Sequence, residues 1–180
     1  MIMFQQDLLT VRRLELEDVH LLERWLSDPA VLEFYEGRDR PHDRALVMGN
    51  FYSKEDDEET RCIIEYDDEA IGYIQFYPLD DEGREVYDYS DVPGDIYGMD
   101  QFIGEPKFWN RGIGTKLIEA TVNFLFNEKH AVKVVMDPQT WNVRALRVYD
   151  KCGFKRVKLL EKNEWHEGEL RDCWLIERNR

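Results

Sequence analysis

Cysteine is scarce in this chain of 180 residues: Cys62, Cys152 and Cys173 are three in number, widely spaced and without a Cys-x-x-Cys pair. An odd, scattered set excludes a disulfide framework and a zinc ribbon, and it suits a reducing compartment. Histidine is equally thin, with His20, His42, His130 and His166 far apart, so no metal site is expected. No apolar run approaches the length of a membrane span, and the N-terminus lacks the basic flank and long apolar stretch of a secretion signal. Positive charge is also in short supply, since 24 Lys and Arg face 38 Asp and Glu, a net charge of −14. Such a surface repels phosphate backbones and anionic lipid, which argues against nucleic acid and membrane as partners, and it attracts cations. The same acidity serves plain solubility. The expectation is a cytoplasmic globular protein, one domain over residues 1–180, whose 43% hydrophobic content supports a sizeable core.

Two complete phosphate motifs are missing as well. The dinucleotide fingerprint needs a third glycine and the P-loop needs Gly-Lys-Ser/Thr after its spacer; neither occurs. What is present is Phe108-Trp109-Asn110-Arg111-Gly112-Ile113-Gly114-Thr115-Lys116, two glycines and no acid where an extended segment gives way to a long amphipathic one. Backbone donors crowd at such a helix start and its dipole favours an anion. Arg111 and Lys116 add charge on either side of Gly112 and Gly114, so the expected occupant is a diphosphate; a tight turn is the plain alternative.

Periodicity predicts a strand over 8–14, a helix over 15–27 with Val19, Leu22, Trp25 and Leu26 on one face, and short helices over 30–35 and 44–52. Residues 60–66 and 70–78 read as a hairpin around Asp67-Asp68-Glu69. The acidic, tyrosine-rich stretch 80–95 reads as an exposed loop or ragged hairpin extension. A strand over 96–104, a helix over 112–129 and a strand over 132–136 follow. Asn142 is placed to cap a helix running to Lys151, closed by Gly153, and strands over 154–160 and 171–177 end the chain. The order implies one mixed α/β domain built on a central sheet.

Strand, Arg-Gly-Ile-Gly-Thr, long helix, strand, then Asn142-x-x-Ala145-x-x-x-Tyr149-x-Lys151-x-Gly153-Phe154 resembles the GCN5-related N-acetyltransferase superfamily. Within it the chain is similar to the aminoglycoside 6′-N-acetyltransferases of bacterial antibiotic resistance. That likeness runs through Trp25-Leu26, Val31-Leu32-Glu33-Phe34-Tyr35, the segment from Tyr97 to Pro106, Asp137-Pro138, and His166-Glu167-Gly168 with Asp172. It implies a central mixed, mostly antiparallel sheet flanked by helices, acetyl-CoA as cosubstrate, a cationic aminoglycoside as partner, and direct attack in a ternary complex. A polyamine or protein N-terminus as acceptor, and an acyl-CoA-binding sensor without turnover, remain open. One position departs from the superfamily pattern: Trp109 stands where Gln or Arg is usual, so Arg111 is expected to carry the cationic role.

Moving an acetyl group from a thioester to an amine requires a neutral nucleophile, a polarised carbonyl and a proton for the leaving thiolate. The resemblance assigns the base to Asp100, which alternation places on the face shared by Gly98 and Phe102, and the acid to Tyr149; a solvated ion pair and a packed aromatic are the plain alternatives. It gives cofactor binding to Arg111, Gly112, Ile113, Gly114, Thr115 and Lys116, to the backbone of Gln101, Phe102 and Ile103, and to Asn142, which can equally serve only as a cap. It gives acceptor binding to Asp100, Asp137 and Asp172, with Trp25, Gln75 and Tyr77 shaping the sugar contacts. Several carboxylates are needed because one ion pair in water contributes only about 1 kcal/mol at about 4 Å. The residues do not decide between monomer and homodimer.

Overall fold

A computed structural model describes residues 1–55 and 58–180. Eight strands form one sheet: β1 (Ile2–Gln6), β2 (Leu9–Arg13), β3 (Thr60–Tyr66), β4 (Glu69–Pro78), β5 (Ile96–Ile103), β6 (Lys133–Met136), β7 (Lys155–His166) and β8 (Glu169–Asn179). Their order is β1-β2-β3-β4-β5-β6-β8-β7. The helices are α1 (Val19–Trp25), α2 (Pro29–Leu32), α3 (Arg44–Phe51), α4 (Asp81–Val86), α5 (Ile113–Asn127) and α6 (Val143–Lys151). The sheet is mostly antiparallel; β5 and β6 run parallel, from Ile96↔Lys133 to Gly98↔Val135. Residues 99–103 of β5 continue past that last pair.

The chain divides into two compact units. The first comprises Met1–Gln75, Gln101–Gly114 and His166–Glu169. Its core is the apolar face of α1 (Val19, Leu22, Trp25) with Leu26, packed with Val31 and Leu32 of α2, Val47 and Phe51 of α3, and Ile63, Tyr73 and Phe102 from the strands. Two helix starts carry side-chain caps: Asp28 accepts from the Ala30 N–H and Asp43 from the Leu46 N–H. Asp67 and Asp68 both take positive φ, 51° and 63°, the left-handed pair that a two-residue hairpin needs between β3 and β4.

A charge is buried in this unit. Arg12 reaches Asp18 through two bonds of 2.8 and 2.9 Å and Glu65 through its Nε at 2.7 Å. Burial opposes ionisation of Asp18, but the Arg12 hydrogen bond and the Glu15 N–H outweigh it and hold the carboxyl below its ordinary value. A depressed carboxyl stabilises the fold above its unfolded pKa, and that contribution disappears as pH falls through the folded value. Asp18→Asn is therefore expected to cost about 2 kcal/mol near neutral pH. Urea midpoints measured at neutral pH and below about pH 4 should show the gap between variant and wild type closing as Asp18 itself is protonated.

The second unit comprises Phe76–Asp100, Thr115–Trp165 and Leu170–Arg180. Tyr89, Ile96, Val135 and Leu175 form a buried cluster there, with Leu79, Tyr87, Val92, Val132 and Leu160 packed against it. The 80–95 stretch differs from the loop that its acidity suggests. Asp80 accepts from the Gly83 N–H and starts α4, whose first turn holds Asp81 and Glu82 and whose last holds Arg84. These are ordinary helix-start signals, but the helix buries none of its residues and so has no apolar period to announce it. Strand β1 likewise had no alternating pattern to announce it; it is defined by its pairing with β2.

Candidate active site

The first unit holds the loop expected to bind an anion as far as Gly114. Asn110 and Gly112 take φ of 57° and 76°, so the chain bends twice in the left-handed region just before α5. A Cβ on Gly112 would meet nothing within 4 Å, which leaves open space above a backbone turn at the start of a 15-residue helix. Arg111 is exposed and its guanidinium lies 4.9 Å over the Phe108 ring; no carboxylate occurs from Pro106 to Ile118. A bare backbone turn, a helix N-terminus and nearby cations fit a pyrophosphate.

Trp109 braces this loop instead of contributing a polar head. Its indole N–H donates to the Ile103 carbonyl at 2.8 Å, and its ring meets Phe34 edge-on, centroids 6.0 Å apart. Glu105 accepts from the Trp25 indole at 2.9 Å and is paired with Arg24. Trp25 itself is a core residue, 1% exposed, with Gly104 packed on its ring.

On β5 the backbone groups alternate between edges. A Cβ on Gly72 would sit 2.3 Å from the Phe102 carbonyl oxygen, and the Gly104 N–H donates to Ile71 at 2.7 Å, so Phe102 faces β4. Of the three residues named for strand-like pairing with a cofactor, Gln101 and Ile103 present their backbone to the opposite edge, and Phe102 does not. Phe102 instead fills the core with its side chain. Gln75 of β4 accepts from the buried Tyr73 hydroxyl at 2.7 Å.

The second unit gathers the carboxylates. Tyr77 of β4 is hydrogen-bonded to Asp100 of β5. Its ring lies directly over Gly98, where a Cβ would come within 2.5–2.9 Å of the ring edge and hydroxyl. Burial first, then the charges of Asp100 and Asp137, push the Tyr77 phenol far above its ordinary value, so it remains a donor at all physiological pH. Asp137, which follows β6, accepts from the Tyr87 hydroxyl at 3.0 Å and from Asn163 of β7 at 3.3 Å, both on Oδ2. Burial raises the Asp137 carboxyl, and those two donors oppose the rise. Tyr87 is raised by burial and by Asp137, with a further contribution from Asp100, so the two aspartates and two phenols share one electrostatic neighbourhood.

Asp172 of β8 is half-buried and accepts the Lys162 N–H at 2.9 Å, while its carbonyl takes the Thr140 N–H at 3.0 Å. The loop after β6 is thereby tied to β8, again through Trp174 N–H to the Pro138 carbonyl at 2.9 Å. Asn142 caps α6 by accepting from the Ala145 N–H at 3.3 Å. Tyr149, on the same helix, is half-buried with its ring edge-on to Phe154 at 6.2 Å. The Cys152 thiol donates to the Thr115 carbonyl at 3.6 Å, and burial pushes it up to about 11, which makes it inert near neutral pH. Among the described residues no cluster of His, Cys, Asp and Glu has metal-binding geometry.

Sequence reasoning missed Tyr87, Asn163 and Glu105. Tyr87 lay in a stretch read as loop, and the partners of Asn163 and Glu105 are 26 and 80 positions away, beyond any local pattern.

Residues 15–162 match the family described as the acetyltransferase (GNAT) domain. The aminoglycoside N(6′)-acetyltransferase type 1 of Klebsiella pneumoniae is 32% identical over 152 residues, covering 83% of this chain and 75% of that protein. The solved structure of AAC(6′)-Ib in complex with ribostamycin and coenzyme A superposes with a TM-score of 0.80 at 27% identity, covering 97% of this chain and 94% of that one. A spermidine N-acetyltransferase from Vibrio cholerae, solved with CoA and spermine, shares the fold at a TM-score of 0.77 and 16% identity, covering 97% and 96% of the two chains. With this match over residues 15–162, the chain belongs to the GNAT acetyltransferase family.

Proposed function

We propose that this protein is an acetyl-CoA-dependent aminoglycoside 6′-N-acetyltransferase, a single acetyltransferase domain over residues 1–180 working in the bacterial cytoplasm. The observation that carries the reading is the pair of carboxylates, Asp100 and Asp137, each held by a half-buried phenol and electrostatically linked through Tyr77 and Tyr87. A polycationic amine is the chemical complement of such a pair, and the likeness to an aminoglycoside acetyltransferase favours that acceptor class.

Acetyl-CoA supplies a thioester acetyl group and a thiol leaving group. Residues 111–116 would cradle its pyrophosphate with backbone N–H groups, Arg111 and Lys116 adding charge, and the outward backbone groups of Gln101 with the Ile103 N–H would pair with its pantetheine amides, the Ile103 carbonyl being taken by Trp109. A backbone N–H near Gln101 would polarise the thioester carbonyl. Asn142, already spent as a helix cap on one oxygen, retains its amide N–H groups for the same arm. Asp100 would hold the acceptor ammonium and take its proton, freeing the amine to attack; as the C–N bond forms and the C–S bond breaks, Tyr149 would protonate the thiolate, and the second proton shed by the nitrogen as it becomes an amide would restore the phenol through solvent, so that one proton is released overall. Asp137 and Asp172 would neutralise further ammonium groups. Gln75 and Tyr77 would shape the sugar contacts, and Trp25 would act from the core through Gly104 and Glu105.

Free-thiol release from acetyl-CoA, measured with kanamycin, a 6′-hydroxyl aminoglycoside and spermidine, tests the reading. Release with kanamycin alone supports it, release with spermidine alone replaces the acceptor, and silence with all three despite cofactor binding leaves a sensor. Tyr149→Phe is expected to lower kcat about tenfold, a modest effect because a thiolate leaves readily. An unchanged rate and pH profile would remove Tyr149 from the mechanism.

A further inference from the structure

One carboxylate in the second unit is held with more care than a turn aspartate requires. Tyr87, just after α4, and Asn163, on β7, both donate to Asp137 Oδ2, at 3.0 and 3.3 Å. Two donors on one oxygen fix the rotation of the group, and they favour its ionised form against the burial that opposes it. Tyr87 is itself carried on a pinned segment. Arg84 donates to the Val92 carbonyl at 2.9 Å, Asp88 is paired with Lys158 at 2.6 Å, and the Tyr89 hydroxyl donates to Glu177 at 2.6 Å. The same Glu177 oxygen takes the buried Lys133 ammonium at 2.6 Å, and that ammonium lies 4.9 Å over the Tyr89 ring. Contacts to β6, β7 and β8 therefore flank Tyr87 immediately, so its hydroxyl is presented from a fixed support.

We infer that Tyr87 and Asn163 are positioning residues that orient Asp137 toward an acceptor ammonium other than the one acetylated, which makes residues 80–89 a specificity element. This rests on the acceptor class proposed above. An ionised carboxylate with one oxygen immobilised offers a fixed direction to a cation, and a multiply charged acceptor whose ammonium groups are rigidly spaced is then selected by distance from Asp100. The groups that face Asp137 are Tyr77 of β4, Tyr87 after α4, Asn163 of β7 and Cys173 of β8, with Asp100 linked through Tyr77. Burial keeps the Cys173 thiol protonated, pushed up to about 12, and both phenols protonated. Near neutral pH neither the thiol nor the two phenols change charge.

Steady-state kinetics of the full chain with acetyl-CoA and kanamycin test this. Tyr87→Phe is expected to raise KM for kanamycin about tenfold, with kcat and KM for acetyl-CoA within about twofold of wild type. The acid limb of the kanamycin KM should move to higher pH, because the carboxylate has lost a donor that favoured its charge. Combined with Asp137→Asn, Tyr87→Phe should add nothing. Asn163→Ala, at an exposed residue, should give a smaller effect of the same kind and serves as the second variant if Tyr87→Phe folds poorly. An unchanged kanamycin KM, additive effects in the double variant, or equal rises in both substrates' KM would overturn the inference. A wild type that neither acetylates nor binds kanamycin would remove the acceptor reading, and this inference with it, before any variant is compared.

Discussion

Asp100→Asn is expected to lower kcat about 100-fold or more while leaving the affinity for acetyl-CoA nearly unchanged. The amide has the size of the carboxylate and its oxygen can still accept from Tyr77, so the local packing survives. What it loses is the capacity to hold an ammonium and remove its proton. The cofactor side of the proposed mechanism uses backbone groups of residues 101–116, and none depends on the Asp100 charge. If proton removal is the lost step, part of the rate should return as pH rises toward the acceptor amine's own pKa, since the substrate then arrives neutral. A CoA titration beside the kinetics separates this from a structural role: loss of cofactor binding in the variant would mean that Asp100 shapes the strand and carries no chemistry.

The parts legible in the sequence share one physical property: their signal lies within a few residues. The helices over α5 and α6 announce themselves by period and caps, and the ends expected for α5 lie within two residues of those observed. The Asp67-Asp68 turn and the Arg111–Lys116 loop are equally local, because a positive φ or a helix start is dictated by neighbours in the chain. The site's second layer is not local. Tyr87 meets Asp137 across 50 positions, Tyr89 meets Glu177 across 88, and Trp25 meets Glu105 across 80. An indole, a phenol and a carboxylate have the same composition whether they meet or not. Trp25 illustrates the cost of reading an aromatic as a ligand contact: the fold spends its ring on the core and on Gly104, and its one polar atom on Glu105. Phe102 shows the finer case, where alternation correctly separates the faces of β5 but says nothing about which edge its carbonyl addresses.

Gly98→Ala should reduce kcat/KM on the order of 100-fold in a protein that still folds, a larger effect than the removal of any hydrogen bond around it. The residue lies in regular strand, so glycine's backbone freedom is not what the position requires; absence of a side chain is. The added methyl would stand 2.5 Å from Cε2, 2.7 Å from Cζ and 2.9 Å from the hydroxyl of Tyr77, all well inside contact distance. β5 is held on both sides by β4 and β6, so the ring must move and the strand cannot. Displacing the ring separates Tyr77 from Asp100 and alters the group that faces Asp137, which disturbs both carboxylates at once. Overpacking of this kind costs about 1–3 kcal/mol of stability, enough to lower the melting temperature by several degrees without abolishing the fold. Trimming the obstacle provides the control. In a Tyr77→Leu background the clash is gone, so Gly98→Ala should then change neither stability nor rate appreciably, and the two substitutions should show strong coupling. Additive losses would place the importance of Gly98 in the backbone of β5 and not in the ring that covers it.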